Sequence, residues 1–389
     1  MRFASIAITS IVSAVVACGT PDGGTDAALP DAMQSLPPLG VYIVNVDGTG
    51  LTLLTDSGIR QLTHVRVQRS SDWMTATRYN QDFDGNGLAM ELEAGAPGGL
   101  NYAGAQIIVF RRSAPRVITE ITPSVPGKII ANSSWTSDGR LIFLQQDHPS
   151  DPNLTRIKRA TFTSMPSTFQ IDAVTLPAEL VLPVDPHQSG ASDASGSLVF
   201  PALFHHPNGW MGPVWKIPAS GTTDLSQVRL VGCPICPFQG GCCAFPTVGE
   251  VLGTNDPRLN HAGTEVMWMQ RHPDVSFNLG SLQGYPMRPH KLVLSGTTPV
   301  DLTPPGVAAT TSVSFGEWRP DDGEVVYWQI QIEGTALKQR LFRMAPDGTN
   351  RQAIPLPEQL CPQHPSYLSA TEIVFSAFRC FGTECTCAP

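Results

Sequence analysis

Residues 135–143 read WTSDGRLIF and residues 318–328 read WRPDDGEVVYW. Each starts on an aromatic residue, passes an Asp-Gly pair and ends in a short run of β-prone apolar residues. Asp-Gly supplies the positive φ that a tight hairpin needs, and the runs behind it are strand material. Four more segments follow the pattern loosely: VQRSSDWMTATRY (67–79), SDASGSLVF (192–200), LNHAGTEVMWM (259–269) and YLSATEIVFSAF (367–378). Anchored on Asp72, Gly139, Gly196, Gly263, Gly323 and Thr371, the copies lie 48 to 67 residues apart. A period of that length is one supersecondary unit of several strands, stacked on its neighbours.

A second series lies between the first: VYIVNVDGTG (41–50), IIVFRR (107–112), LTRIKRA (154–160), PVWKIPASG (213–221), HKLVLSGTT (290–298) and RLFRMAPDGTN (340–350). These are strands running into turns. VNVDGTGLTLL (44–54) and RMAPDGTNRQA (343–353) are close copies, so Val41–Asp47 takes the role of Arg340–Asp347. The chain opens with the second type and closes with the first. In a ring of four-stranded blades, that offset lets the N-terminal strand complete the last blade. Val41–Val46 is therefore expected beside Glu372–Phe378. The expected fold is an all-β, six-bladed β-propeller of antiparallel blades over residues 39–380. A ring of seven or eight blades is the competing count.

These motifs resemble the TolB-type six-bladed propeller repeat over roughly residues 40–380. The resemblance implies a rigid ring in the bacterial cell envelope that works through partner proteins of an outer-membrane complex. TolB carries a further N-terminal domain, where this chain has only a stalk, and fold does not fix function.

Composition agrees with a turn-rich β protein. The 389 residues include 35 Gly and 35 Pro, which break helices and punctuate turns. Charged residues make up 15% and the net charge is −8. No Lys/Arg cluster exceeds the pair Arg111-Arg112, so a nucleic-acid footprint is missing. A mean hydropathy of −0.03 excludes a polytopic membrane protein.

Residues 1–17 read MRFASIAITSIVSAVVA, one Arg followed by a short apolar stretch, as in a signal peptide. The stretch is too short to span a bilayer as a helix. Val15-Val16-Ala17-Cys18-Gly19 resembles a bacterial lipobox. That resemblance implies acylation of Cys18, cleavage before it, and, with Gly19 rather than Asp next, the outer membrane. Residues 18–38 then form the lipidated Cys and a Gly/Pro/Asp/Ala-rich flexible stalk.

One stretch carries ion chemistry. Asn80, Asp82 and Asp84 stand at positions 1, 3 and 5 of a twelve-residue calcium-loop spacing, Gly85 at 6, Asn86 at 7 and Glu91 at 12. Calcium is the expected ion, and Asn at position 1 weakens the site. Eight further cysteines, Cys233, Cys236, Cys242, Cys243, Cys361, Cys380, Cys385 and Cys387, all lie beyond residue 230. Export and an even count point to disulfides, with the last three in or beside a Cys-rich tail (381–389). Cys233-Pro-Ile-Cys236 lacks the second Cys-x-x-Cys of a zinc site.

The nine histidines, His64, His148, His187, His205, His206, His261, His272, His290 and His364, show no metal-type spacing and read as structural. No nucleophile elbow or phosphate loop is present. A prolyl-oligopeptidase arrangement is excluded because the repeats consume the chain. The expected function is a monomeric, non-catalytic binding or scaffold module for an envelope protein or glycan, membrane-bound through its lipid alone. The alternative is a metal-dependent hydrolase or lactonase, with Asp193, Asp256, Asp321 and Asp322 converging from repeat turns. The insertions expected to carry the contacts are 80–105, 144–152, 201–212, 233–250 and 270–289.

Overall fold

The computed structural model describes residues 38–379 except 70, 84, 86, 92–103, 126–127, 148–154, 182, 184–186, 190–195, 205–209, 232–253, 272–276, 280–281, 285–286, 304–310 and 334–335. The expected signal segment, Cys18, the expected stalk up to residue 37 and the expected Cys-rich tail lie outside the described residues.

The chain enters through β1 (Gly40–Asn45) and β2 (Thr52–Asp56). Blade 1 follows as β3 (Leu62–Val67), β4 (Trp73–Arg78), β5 (Gln106–Arg111) and β6 (Ala114–Glu120). Blade 2 is β7 (Ile129–Trp135), β8 (Leu141–Gln146), β9 (Thr155–Ser164) and β10 (Thr168–Ala173). In blade 3 the inner strand comes in two pieces, β11 (Leu180–Val181) and β12 (His187–Ser189), both paired with β13 (Ser197–Phe204). It continues with β14 (Trp210–Pro218) and β15 (Arg229–Leu230).

Blade 4 contains β16 (Thr254–Leu259) and β17 (Glu265–Arg271), then a separate hairpin, β18 (Phe277–Leu279) and β19 (Leu282–Gly284). It closes with β20 (Met287–Val293) and β21 (Val300–Asp301). Blade 5 is β22 (Thr311–Trp318), β23 (Val325–Glu333), β24 (Ala336–Met344) and β25 (Gln352–Ile354). β26 (Leu360–Tyr367) and β27 (Glu372–Arg379) finish the chain.

The last sheet has the order β2-β1-β27-β26. The two ends of the chain thus supply two strands each, and Val41 to Asn45 pair with Ser376 to Glu372 as the sequence offset requires. The ring is a six-bladed propeller closed by this shared blade.

Six apolar clusters hold it together, one in each interface between adjacent blades. The reason is the two-residue period of a strand. Ile107 and Val109 of β5 face blade 2, whereas Ile108 and Phe110 of the same strand face blade 6. In β23, Val325 and Tyr327 face blade 4, and Val326, Trp328 and Ile330 face blade 6. Second and third strands are buried on both sides, so they read as unbroken apolar runs rather than alternating ones.

Strand direction sorts the connections. First-to-second and third-to-fourth strand turns lie on one face, and all other connections leave from the opposite face. The turns are tight: Asp47 and Asp347 each accept the amide of the Thr two residues on at 2.9 Å, beside Gly48 and Gly348 with φ of 87° and 85°. The connections from Arg78 to Gln106, from Leu230 to Thr254 and from Arg271 to Met287 leave from the opposite face. Three expected insertions are shorter than read from sequence. Within 270–289, residues 270–271 belong to β17 and 287–289 to β20. Residues 144–146 belong to β8, and within 201–212 only 205–209 lie outside β13 and β14. The apolar character of Leu203, Phe204 and Trp210 had been hidden behind His205-His206 and Asn208-Gly209.

Candidate functional site

The first strands of the blades line the central channel, and they are polar where the second and third strands are apolar. In β3, β7, β16, β22 and β26 the pairing with the next strand slips by one extra residue at an equivalent place. Such a bulge re-aims side chains. Four of the bulge residues have positive φ: His64 (51°), Asn132 (55°), Asp256 (47°) and His364 (49°). For non-glycine residues this conformation costs on the order of 1–3 kcal/mol. It recurs here around one channel.

His64 and His364 meet across the ring closure. Their rings stack with centroids 3.7 Å apart and planes inclined by 29°. Trp328 packs at a tilt against the other side of His364 at 5.4 Å. Thr63 Oγ1 lies 2.8 Å from His64 Nδ1, and His64 Nε2 lies 4.0 Å from Glu91 Oε1. All three side chains are buried.

Glu91 arrives from the connection after β4, which folds back along the start of β3. Gln61 N donates to Ala89 O (2.8 Å), Ala89 N to Ile59 O (2.7 Å) and Glu91 N to Gln61 Oε1 (2.7 Å). Burial pushes the His64 imidazole well below its usual pKa, with His364, Arg66 and Arg258 adding to the effect. Burial and the same two arginines do so for His364. Both shifts favour the neutral ring, the form that binds metals.

Further round the channel, Asp256 accepts from Ser314 Oγ at 2.6 Å and pairs with Arg258 at 3.7 Å. Arg66 Nη1 donates to the carbonyls of Val65 and His364. Towards the tight-turn face lies a pocket of about 80 Å³, lined by Arg66, Arg69, Ser134, His261, Glu317 and Tyr367 among others. Burial lowers the Arg69 pKa, against the pull of Glu317 and Asp322.

The residues singled out from sequence fall in several places. Asn80 donates to Gly104 O (3.1 Å) and Gln106 Oε1 (2.9 Å). Asp82 accepts from Gly85 N and Gly87 N at 2.7 and 2.8 Å, holding the turn of its own loop. Asp84 and Asn86 lie outside the described residues, and Glu91 stands beside His64. Of the cysteines, Cys361 is fully buried on β26, and Cys233, Cys236, Cys242, Cys243, Cys380, Cys385 and Cys387 lie outside the described residues. Cys18 does too.

Of the four aspartates expected to converge, the three described do not share a turn position. Asp256 sits on the inner strand β16, Asp321 and Asp322 on the turn after β22, and Asp193 outside the described residues. Asp322 instead accepts the amides of His261 and Ala262 at 2.7 and 2.9 Å, tying blade 5 to blade 4. The absence of a metal-type spacing among the histidines hid the His64–His364 pair. The available signal was register: His-Val-Arg-Val (64–67), Asn-Ser-Ser-Trp (132–135), Asp-Pro-Arg-Leu (256–259) and His-Pro-Ser-Tyr (364–367) align as one repeat position.

Among the described residues, no helix is long and apolar enough to cross a membrane. No family model matches the sequence, and no curated protein is similar to it. Solved structures with a similar fold include TolB from Acinetobacter baumannii, at 12% identity and a TM-score of 0.47, over 90% of this chain and 67% of that one. An oligogalacturonate lyase in complex with manganese aligns at 12% identity and TM-score 0.44, over 82% of this chain and 73% of that one. A prolyl oligopeptidase B from Galerina marginata aligns at 10% identity and TM-score 0.43, over 76% of this chain, which spans only 34% of the peptidase. These likenesses concern the fold.

Proposed function

We propose that this protein is an envelope lipoprotein, acylated at Cys18 and carried on the outer membrane, that binds a protein or glycan partner without catalysing a reaction. The observation that carries this reading is the asymmetry of the two faces. Short hairpin turns such as those at Asp47, Asp138 and Asp347 lie on one face, and the connections from Arg78 to Gln106, Leu230 to Thr254 and Arg271 to Met287 leave from the other. Rigid scaffolds that carry long loops at one end commonly bind through those loops. The acidic balance and the absence of a basic cluster argue against nucleic acid. Cys361 and the cysteines after it form disulfides that fix the C-terminal tail beside the closing blade, a role its burial on β26 supports.

The anchor is tested by labelled fatty-acid incorporation: wild type should take up label in the outer-membrane fraction, and Cys18→Ser should not. Binding is tested by immobilising the lipid-free chain in solubilised envelope extract, with calcium and with chelator. A partner retained near one-to-one supports the module, and its loss in chelator ties the Asn80–Glu91 loop to binding. A second reading, metal-dependent hydrolysis, is favoured by the convergence of imidazoles and a carboxylate in the channel. Turnover of ester or lactone substrates that falls in Glu91→Gln would favour it over the first.

A further inference from the structure

We propose that His64, Glu91 and His364 bind one divalent first-row transition-metal ion inside the channel, at the seam between the first and last blades. The inference rests on these channel residues and is independent of the partner-binding reading.

One donor atom from each residue lies within 4.8 Å of the other two. An ion with bonds of about 2.1 Å holds its donors roughly 3–3.5 Å apart. Closing the set therefore takes side-chain shifts of about 1 Å and a rotation that unstacks the two imidazoles, so that both nitrogen lone pairs meet at the ion. The 4.0 Å between His64 Nε2 and Glu91 Oε1 is too long for a hydrogen bond. It lies within about 1 Å of the separation that two ligands of one ion take.

Each donor is held from a different element. His64 is fixed through Thr63 at its other nitrogen, a common arrangement for metal-binding histidines. Gln61 holds the main chain of Glu91. His364 sits on its own bulge, and its Nδ1 is buried without a hydrogen-bond partner. Leaving a buried polar atom unsatisfied costs about 1–3 kcal/mol, a cost that a purely structural histidine has no reason to carry.

Two imidazoles and one carboxylate suit zinc, manganese, cobalt or iron. Calcium prefers six to eight oxygens. The arginines in the channel oppose a cation, but Arg258 is countered by Asp256 at 3.7 Å, and Glu91 offsets part of the ion's charge. His64 and His364 belong to strands from opposite ends of the chain, so the ion would also clamp the ring shut. Binding to the folded state alone would raise stability by mass action.

The test uses the lipid-free full chain, stripped with chelator and titrated calorimetrically with Zn²⁺, Mn²⁺ and Ca²⁺. Co²⁺ serves as a visible-absorption probe of nitrogen ligation. The expected result is one transition-metal ion per chain, a Tm that rises on loading, and affinity at least about tenfold lower in Glu91→Gln and His364→Gln. Asp82→Asn should bind like wild type. No ion taken up by the folded, stripped chain would overturn the proposal. So would affinity unchanged in both channel variants, or lost in Asp82→Asn, which would place the ion in the acidic loop. If the channel variants do not fold, the Co²⁺ spectrum of the wild type decides, and absence of a nitrogen-ligated band overturns the site.

Discussion

The indole nitrogen of Trp318 donates to the main-chain carbonyl of Arg258 at 3.1 Å, joining the inner strands of blades 5 and 4. Trp135 makes the same bond to Arg66 at 3.2 Å between blades 2 and 1. This explains why tryptophan heads two of the repeats: the ring fills the interface, and its N–H satisfies a carbonyl of the neighbouring inner strand. Trp318→Phe keeps most of the apolar contact and loses the bond, so it should cost about 1–3 kcal/mol. Trp318→Ala should cost about 3–5 kcal/mol. Urea titration of both variants checks this, and a Trp318→Phe variant as stable as wild type would mean the hydrogen bond is immaterial.

Gly316 sits where two inner strands come closest. A Cβ there would lie 2.1 Å from Pro365 O, and main chain cannot move aside like the end of a long side chain. Gly316→Ala should lose on the order of 3 kcal/mol or fail to fold. Gly58→Ala meets no atom within 4 Å, but its φ of 61° adds strain on the order of 1 kcal/mol. Wild-type melting of Gly316→Ala would show that blades 5 and 6 stand further apart than described.

Arg112 and Glu372 form a two-point ion pair, at 2.8 and 3.2 Å, across the ring closure. Both are partly exposed, so Arg112→Ala should cost no more than about 1 kcal/mol, and less at high salt. Removing residues 39–56 is a different matter. It strips β1 and β2 from the last blade and bares β27 as an unpaired edge, which invites aggregation. Size-exclusion chromatography should show a monomer for the first variant and aggregate for the second.

Alkaline pH should destabilise the ring through its tyrosines. Burial pushes Tyr327 up to about 12. Burial and the Glu324 carboxylate beside its hydroxyl push Tyr367 higher still. Unfolded tyrosine ionises near pH 10, so the folded state holds protons that the unfolded state releases. The stabilisation is complete below about pH 10 and is lost as pH rises towards 12 and beyond. Tyrosinate absorbance should show at least two of the six tyrosines ionising only as the protein unfolds. Normal titration of all six would contradict the burial of these two.

The parts of the fold that sequence revealed are those fixed by local chemistry. The paired Asp-Gly-Thr turns at Asp47 and Asp347, the runs at Leu141–Phe143 and Val325–Trp328, and the offset ends each follow from neighbouring residues. The channel was not legible in the same way. His64 and His364 are three hundred positions apart, and only the ring brings them together. Their common place in the repeat is masked because the bulge residue changes identity from blade to blade. Glu91 read as the last member of a calcium spacing because its neighbours fit that spacing, whereas the fold-back at Ile59–Gln61 depends on long-range pairing. The split inner strand of blade 3 has no local signature at all.

The central claim is that the long-loop face engages a partner. A photo-crosslinking residue placed in turn at Asn278 and Gln283, on the β18–β19 hairpin of that face, and at Ser137 and Thr349, on the tight-turn face, tests it directly in intact envelopes. The account predicts one discrete crosslinked species from the first pair and none from the second. Crosslinks confined to Ser137 and Thr349, or absent from all four positions, would contradict it.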